Sequence, residues 1–344
     1  MVEIKSQTKA EIEAFLASKG EQKFRASQIY EWLWKKGVKS FDEMSNLSKQ
    51  TRTVLAENFT LNVPTIDTKL TSSDKTVKLA FRLFDDTLVE GVIIPATDRT
   101  TACISSQVGC AIKCSFCATG TLGLKRNLTA AEIYDQTFIL NQLSIESFGY
   151  GLSNIVLMGM GEPLHNYKNV MQAIAMITSP EGMGMSPQRL TLSTSGLVPQ
   201  IKQLADDGFK CNLAISLHSA DEESRTNLMI INKAHPLDTL RDAISYFAKK
   251  TGSRVTMEYL ILKDLNDSME HAKKLAIFCR AFPSKINIIE YNETAHSTYK
   301  TTTPERLKNF VGYLESKNMI VNIRASKGKD IDAACGQLAA KNTE

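Results

Sequence analysis

From residue 154 to residue 324 the chain alternates between short apolar runs and longer amphipathic ones, and this alternation limits its fold more than any other feature. Apolar runs at 154–158, 189–193, 211–217, 254–262, 286–291 and 320–324 have strand length and end in turn residues. Helical patterns separate them at 166–177, 199–205 and 237–250. Two more follow, one capped by Asp267 with Glu270 three residues on, the other opened by Pro304. An earlier helix is capped by Thr129 with Glu132 and runs to about Leu143. Strands joined by helices run parallel, and a parallel sheet must curl on itself or be covered on both faces. The pattern predicts an α/β fold, a β/α barrel or an open part of one, with its chemistry at the C-terminal ends of the strands.

The first 60 residues have a different period. Thr8 and Glu11 form a capping box ahead of Ile12, Phe15 and Leu16. Ile29, Tyr30, Leu33 and Trp34 mark a second helix that Gly37 ends, and Leu47, Val54, Leu55 and Phe59 a third. Lys23, Arg25, Lys35, Lys36 and Lys39 cluster around the second helix, either as a solvated face or as phosphate contacts of an RNA-binding module. From about residue 66 the period becomes two. Val77, Leu79, Phe81 and Leu83 alternate with polar or small residues, Asp85-Asp86 turns the chain, and Leu88, Glu90, Val92 and Ile94 share the face of a return strand. An acid in register with apolar residues is desolvated, which raises a carboxyl's pKa and suits it to proton transfer. An inward acid that discourages edge pairing is the other reading of Glu90. The expected organisation is a helical domain over 1–62, a β extension over 63–100 and a core with a tail over 101–344.

Seven cysteines, an odd number, in a chain with no visible export signal point to metal or redox work in the cytoplasm rather than to a disulfide framework. No apolar run approaches the roughly 18 residues of a membrane span. The net charge of +4 is compatible with a polyanionic partner without indicating one. Three of the cysteines, Cys110, Cys114 and Cys117, stand four and three residues apart in Gly109–Gly120. Three thiolates that close on a cubane iron–sulfur cluster leave one iron open to an outside ligand. Buried core cysteines, or a zinc knuckle completed by Cys211 or Cys279, are the alternatives.

The strand ends that follow are polar and glycine-rich: Gly159-Met160-Gly161-Glu162-Pro163, then Ser193-Thr194-Ser195-Gly196, Ser216-Leu217-His218-Ser219 and Tyr291-Asn292. Glycine lets backbone approach a ligand, and a carboxylate accepts from an ammonium. Any one of these ends has a plain reading, a turn for the glycines or a satisfied core histidine for His218. Converging on one barrel mouth, they suit a ligand with amino-acid, ribose and base parts. In the tail, Cys335 lies among small residues and glycine, as an exposed thiol on a flexible segment does. Cys103 ends the strand that feeds the cysteine loop. A tail folded over the mouth brings these two thiols together.

The CxxxCxxC run resembles the cluster motif of the radical S-adenosylmethionine (SAM) superfamily. With Cys103, GMGEP, STSG, SLH and the tail DIDAACGQL, it resembles that superfamily's adenine methyltransferases, in the group that acts on C2 of adenine in ribosomal and transfer RNA. The likeness spans roughly residues 20–340. It implies a partial (β/α)6 radical SAM barrel behind a small N-terminal helical domain. It implies a [4Fe-4S] cluster on Cys110, Cys114 and Cys117, with SAM at the fourth iron and contacts from Gly161, Glu162, Ser193, Ser216, Leu217, His218 and Asn292. The implied substrates are 23S rRNA at adenosine 2503 and tRNA at adenosine 37, methylated by a monomer that consumes two SAM per turnover and draws electrons from a flavodoxin or ferredoxin. In that chemistry Cys335 is methylated and then activated as a carbon radical that adds to C2. Cys103 resolves the adduct through a disulfide, and Glu90 matches the proton acceptor. The chain departs from the family pattern at Glu293, where proline is usual, and at Met229–Asn232. Three rivals remain: a Cfr-type enzyme acting on C8 of the same ribosomal adenosine, in which alanine tends to replace Pro163; a non-catalytic RNA-binding protein with structural zinc; and a radical SAM enzyme acting on a small molecule, which leaves Cys335 and the basic helical module without a role.

Overall fold

The structure is a computed structural model that describes residues 1–292 and 298–339. Glu293 and the last five residues of the expected core, 340–344, lie outside the described residues. Ten strands form one sheet. In chain order they are β1 (Thr65–Thr71), β2 (Val77–Arg82), β3 (Leu88–Pro95), β4 (Thr100–Cys103), β5 (Asn154–Leu157), β6 (Leu190–Thr194), β7 (Asn212–Ser216), β8 (Val255–Ile261), β9 (Ser284–Glu290) and β10 (Val321–Arg324). Each lies beside its predecessor in the sequence. β1 to β4 are antiparallel, as short turns allow, and β4 to β10 are parallel, joined by helices. Six crossover helices cover the parallel part: Ala130–Phe148, Tyr167–Thr178, Val198–Asp206, Leu237–Thr251, Met269–Cys279 and Pro304–Ser316. The result is a (β/α)6 partial barrel with a seventh parallel strand and an antiparallel meander on its first edge.

Local signals set most boundaries. The capping boxes form at Thr8/Glu11 and Thr129/Glu132, and the helix opened by Thr129 runs past Leu143 to Phe148, where Gly149 in the left-handed conformation ends it. The cap of the helix over 269–279 is Ser268, which accepts the His271 N–H, and not Asp267. Asp267 is drawn away by the Thr302 hydroxyl (2.6 Å) and by Arg306.

The N-terminal helices Lys9–Ser18, Arg25–Glu31 and Lys49–Asn58 pack on the barrel. The second continues as a π turn over Trp32–Lys36, which Gly37 stops at φ 62°. A Cβ at Gly37 would meet the Phe138 ring at 2.2 Å, so close approach to the barrel helix demands glycine as much as the dihedral does. Lys23, Lys35, Lys36 and Lys39 are exposed, while Arg25 pairs with Glu21 at 3.0 Å. Among the described residues no helix is long and apolar enough to cross a membrane.

Candidate active site

The C-terminal ends of the parallel strands open on a cavity enclosing about 960 Å³ of space, part of it open solvent. Cys110, Cys114 and Cys117 line it together with Gly161, Glu162, Ser193, Ser216, His218 and Tyr291, so the cysteine loop and all four polar strand ends converge. Leu217 is wholly buried and absent from the lining. Its carbonyl instead accepts Arg225 Nε at 3.2 Å. Cys211 and Cys279 are buried elsewhere and border no part of this cavity, which leaves no support for a zinc knuckle completed by either.

The loop that carries the glycines rests on the chain following Cys103. Ser106 and Gln107 donate their N–H groups to Met160 O, and the Ser105 hydroxyl accepts the Met160 N–H at 2.8 Å. A Cβ at Gly159 would meet Ile104 O at 2.7 Å, and one at Gly161 (φ 104°) would meet Gln107 Cβ at 2.6 Å. Protein atoms packed behind both glycines therefore require them, and both also border the cavity, as the sequence suggested for an approaching ligand. Glu162 serves the same scaffold. One of its carboxylate oxygens accepts the Leu164 N–H and the other the Ser195 N–H at 2.7 Å, and burial raises its pKa.

Arg225, fully buried, gathers three segments that the motifs alone did not connect. It donates to Leu217 O, to Ser195 O at 2.7 Å and to Asn232 Oδ1 at 2.6 Å. His218 takes a positive φ of 55° to bring its ring inward. Its Nδ1 accepts the Leu260 N–H at 3.0 Å, which leaves Nε2 as the protonated nitrogen of a neutral imidazole. Burial, reinforced by the Arg225 charge, pushes its pKa down to about 3. The histidine is thus a neutral donor on the cavity wall, edge-on to Phe116 at 4.8 Å.

The wall also holds polar atoms without a partner. Asn292 is buried next to Tyr291 without lining the cavity itself, and neither its amide oxygen nor its nitrogen is hydrogen-bonded among the described residues. The same holds for Tyr291 Oη, which borders the cavity. Such groups are costly unless something satisfies them. They fit SAM, whose adenine and amino-acid parts offer donors and acceptors. The cysteines fit a cluster. Burial pushes Cys110 up to about 11 and Cys114 higher still, a cost that iron removes by binding the thiolates. Among the described residues no three candidate ligands gather as they would around one ion. A cubane accepts that spread, because each thiolate binds a different iron.

Cys335 adjoins this cavity and also a second one, lined by Cys103, Cys117 and Met158. The two thiols face a shared space and are not bonded to each other. Cys335 is reached by solvent through the cavities, while the protein around it desolvates the thiol and raises its pKa, against the nearby Arg324 charge. Burial takes Cys103 up to about 12, again with Arg324 opposing. Arg324, at the end of β10, pairs with Glu258 at 3.3 Å. Neither belonged to a sequence motif. The tail is strapped down where the sequence suggested flexibility. Ala118 donates to Gly336 O at 2.8 Å, the Thr119 hydroxyl donates to Leu338 O, and Ser72 with the Ser73 N–H holds Asp330.

Glu90 lies on β3 between β2 and β4, so it guards no edge. Val92, two residues further along the same strand and on the same face as Glu90, pairs with Cys103, which puts Glu90 and Cys103 on one sheet face beneath the tail. The expectation of a bare acid among apolar residues is corrected here. Lys78 Nζ lies 3.3 Å from Oε1, and the Ala339 N–H donates to Oε2 at 2.9 Å.

Residues 2–61 match the family model described as the ribosomal RNA large subunit methyltransferase N-terminal domain, and residues 104–276 match the radical SAM superfamily. A probable dual-specificity RNA methyltransferase RlmN from Christiangramia forsetii is 50% identical, over 99% of this chain and 97% of its own. The dual-specificity RNA methyltransferase RlmN of Syntrophotalea carbinolica is 42% identical, over 99% and 91%. The crystal structure of a radical SAM methyltransferase from Sphaerobacter thermophilus superposes with a TM-score of 0.94 at 38% identity, covering 99% of this chain and all of that one. With sequence likeness over nearly its whole length and a cavity built from the same motifs, the chain belongs to the RlmN family of dual-specificity RNA methyltransferases, in the radical SAM superfamily.

Proposed function

We propose that this RNA methyltransferase acts on C2 of adenine in 23S rRNA and in tRNA, with Cys335 as the carrier of the one-carbon unit. The observation that carries this reading is that one thiol, Cys335, borders both the cavity of the three loop cysteines and the cavity of Cys103. C2 lies between two ring nitrogens and is too electron-poor to attack the methyl group of SAM directly. A carrier thiol beside a radical source answers that difficulty. Cys110, Cys114 and Cys117 would hold a [4Fe-4S] cluster, with SAM bound beside it. Ser193, Ser216, His218 and Asn292 supply polar contacts to SAM, with Gly161 and Glu162 shaping the loop beside it. When bound, cluster and SAM supply the methyl group and the one-electron chemistry.

Around them the chain's own residues divide the work. Cys335 holds the carbon as a thioether, Cys103 frees the product by bonding to the Cys335 sulfur, and Glu90 takes the C2 proton. The target adenine leaves its stack to reach this depth. The N-terminal basic helices contact RNA phosphates. The enzyme works as a monomer in the cytoplasm, fed by a flavodoxin- or ferredoxin-type donor.

The test is nucleoside mass spectrometry of RNA treated with reconstituted, reduced protein, against 2-methyl- and 8-methyladenosine standards. 2-Methyladenosine that disappears in the Cys335→Ala variant is expected. 8-Methyladenosine alone, or full activity without Cys335, overturns the reading.

A further inference from the structure

Lys78 belongs to no motif, yet it joins the acid and the tail that the proposed reaction uses. On β2 it sits two residues from Ala80, the register partner of Glu90, so Lys78 and Glu90 are diagonal neighbours on one sheet face. Their side chains are 11% and 8% exposed, and Lys78 Nζ stands 3.3 Å from Glu90 Oε1. The same ammonium donates to the Asp332 carbonyl at 3.2 Å, three residues before Cys335. Four residues after Cys335, the Ala339 N–H donates to Glu90 Oε2 at 2.9 Å. The tail therefore grips one carboxylate from both sides of the carrier cysteine, directly at Ala339 and through Lys78 at Asp332.

A carboxylate takes a proton at an accessible lone pair, within hydrogen-bond reach of the proton's source. Here Glu90 is 6% exposed and the Ala339 N–H takes one lone pair of Oε2, so substrate has no open approach to the carboxylate while the tail is seated. The partners of the two oxygens differ in how they can leave. The Ala339 N–H departs with the tail. Lys78 is fixed to its own strand and stays with Oε1.

We propose that Lys78 is a positioning residue that couples the proton acceptor to the tail: it aims Glu90 through Oε1 while its hold on Asp332 sets when the Ala339 N–H clears Oε2. The acceptor then opens only after the tail carrying Cys335 has moved. In the step so gated, the C2–H bond breaks, its proton passes to Glu90 Oε2, and its electron pair stays in the purine ring. The inference rests on the roles given above to Cys335 and Glu90.

The experiment uses cluster-loaded enzyme with SAM, dithionite and an RNA hairpin bearing an unpaired adenosine. Intact mass reads methylation of Cys335, a denaturing gel reads the covalent RNA–protein adduct, and nucleoside mass spectrometry reads product. Lys78→Met should methylate Cys335 as the parent does, accumulate adduct and lose product roughly 10- to 100-fold, in line with loss of a proton-transfer contribution. Lys78→Arg should recover product to within about threefold. Without SAM or RNA, amide exchange in the tail peptide containing Ala339 should speed up in Lys78→Met. Unchanged product and adduct in Lys78→Met overturn the coupling. So does joint loss of Cys335 methylation and product, which marks a mere tail anchor. Should Lys78→Met not fold, Lys78→Gln keeps a donor for Asp332 without the charge, and the same adduct accumulation decides. Product from a Cys335→Ala enzyme refutes the thiol's role and the coupling with it. Intact thiol chemistry that ignores Lys78→Met refutes the coupling alone.

Discussion

Lys5 Nζ lies 2.5 Å from Asp135 Oδ1, with the two side chains 0% and 3% exposed. Lys5 comes from the first turn of the chain and Asp135 from the barrel helix over 130–148. Lys5 also stands 5.6 Å over the Trp34 ring, and the Tyr134 hydroxyl donates to Trp34 O. One buried ion pair thus fastens the N-terminal helices to the barrel. Removing one partner of such a pair strands a charge in a dry site.

Asp135→Ala should therefore destabilise the protein by about 3–5 kcal/mol, and Lys5→Met/Asp135→Leu by much less. Denaturant unfolding at neutral pH measures both. A loss of under about 1 kcal/mol for Asp135→Ala contradicts the argument.

Asn292 separates binding from stability. Its amide is buried and unpartnered among the described residues. Asn292→Ala should leave the melting temperature within a few degrees while weakening SAM binding roughly 10- to 100-fold, the equivalent of one or two lost hydrogen bonds. Calorimetric titration with SAM checks the affinity. A large fall in melting temperature with SAM affinity intact would assign the residue to the fold.

The cysteines divide by location. Cys110→Ala should lose the iron and sulfide of anaerobically purified protein, its brown colour and the methylation of Cys335. Cys211→Ala should keep all four, since Cys211 lies outside the cavity. Iron, sulfide and zinc analysis decides, and zinc without iron in the parent protein would count against the whole reading.

Asp74 gives the tail a pH dependence. Burial works to raise its pKa, but hydrogen bonding from Thr76 and from the Gly328 N–H outweighs it and holds the carboxyl at about 2. A carboxyl depressed in the folded state stabilises fully above its unfolded pKa of about 3.8 and loses that contribution as pH falls through about 2. The cost of Asp74→Asn, from denaturant unfolding, should be constant above about pH 4 and shrink between pH 4 and pH 2. A cost that grows on acidification would reverse the sign and refute it.

What could be read from the sequence and what could not divide by distance along the chain. The capping boxes at Thr8 and Thr129, the strand-and-helix alternation and the CxxxCxxC spacing are fixed within a few residues, where backbone geometry alone links identity to shape. Asp267 passed every local test for a cap and lost the position to Ser268, because Thr302 and Arg306 hold its carboxylate from far along the chain. Glu90 looked like a bare acid or an edge guard until strand order gave it a strand on each side and register gave it Lys78.

Sequence by itself thus determined the kinds of elements and the spacing of the cysteine loop, since spacing and period are properties of a short segment. Only the tertiary structure decided that Arg225 ties the STSG and SLH loops together, that Arg324 and Glu258 sit beside the thiols, and that the tail closes on Glu90. Those contacts join residues up to 249 positions apart. Their pairing follows from sheet register and from the need to satisfy every buried charge and N–H, which no window of neighbouring residues contains.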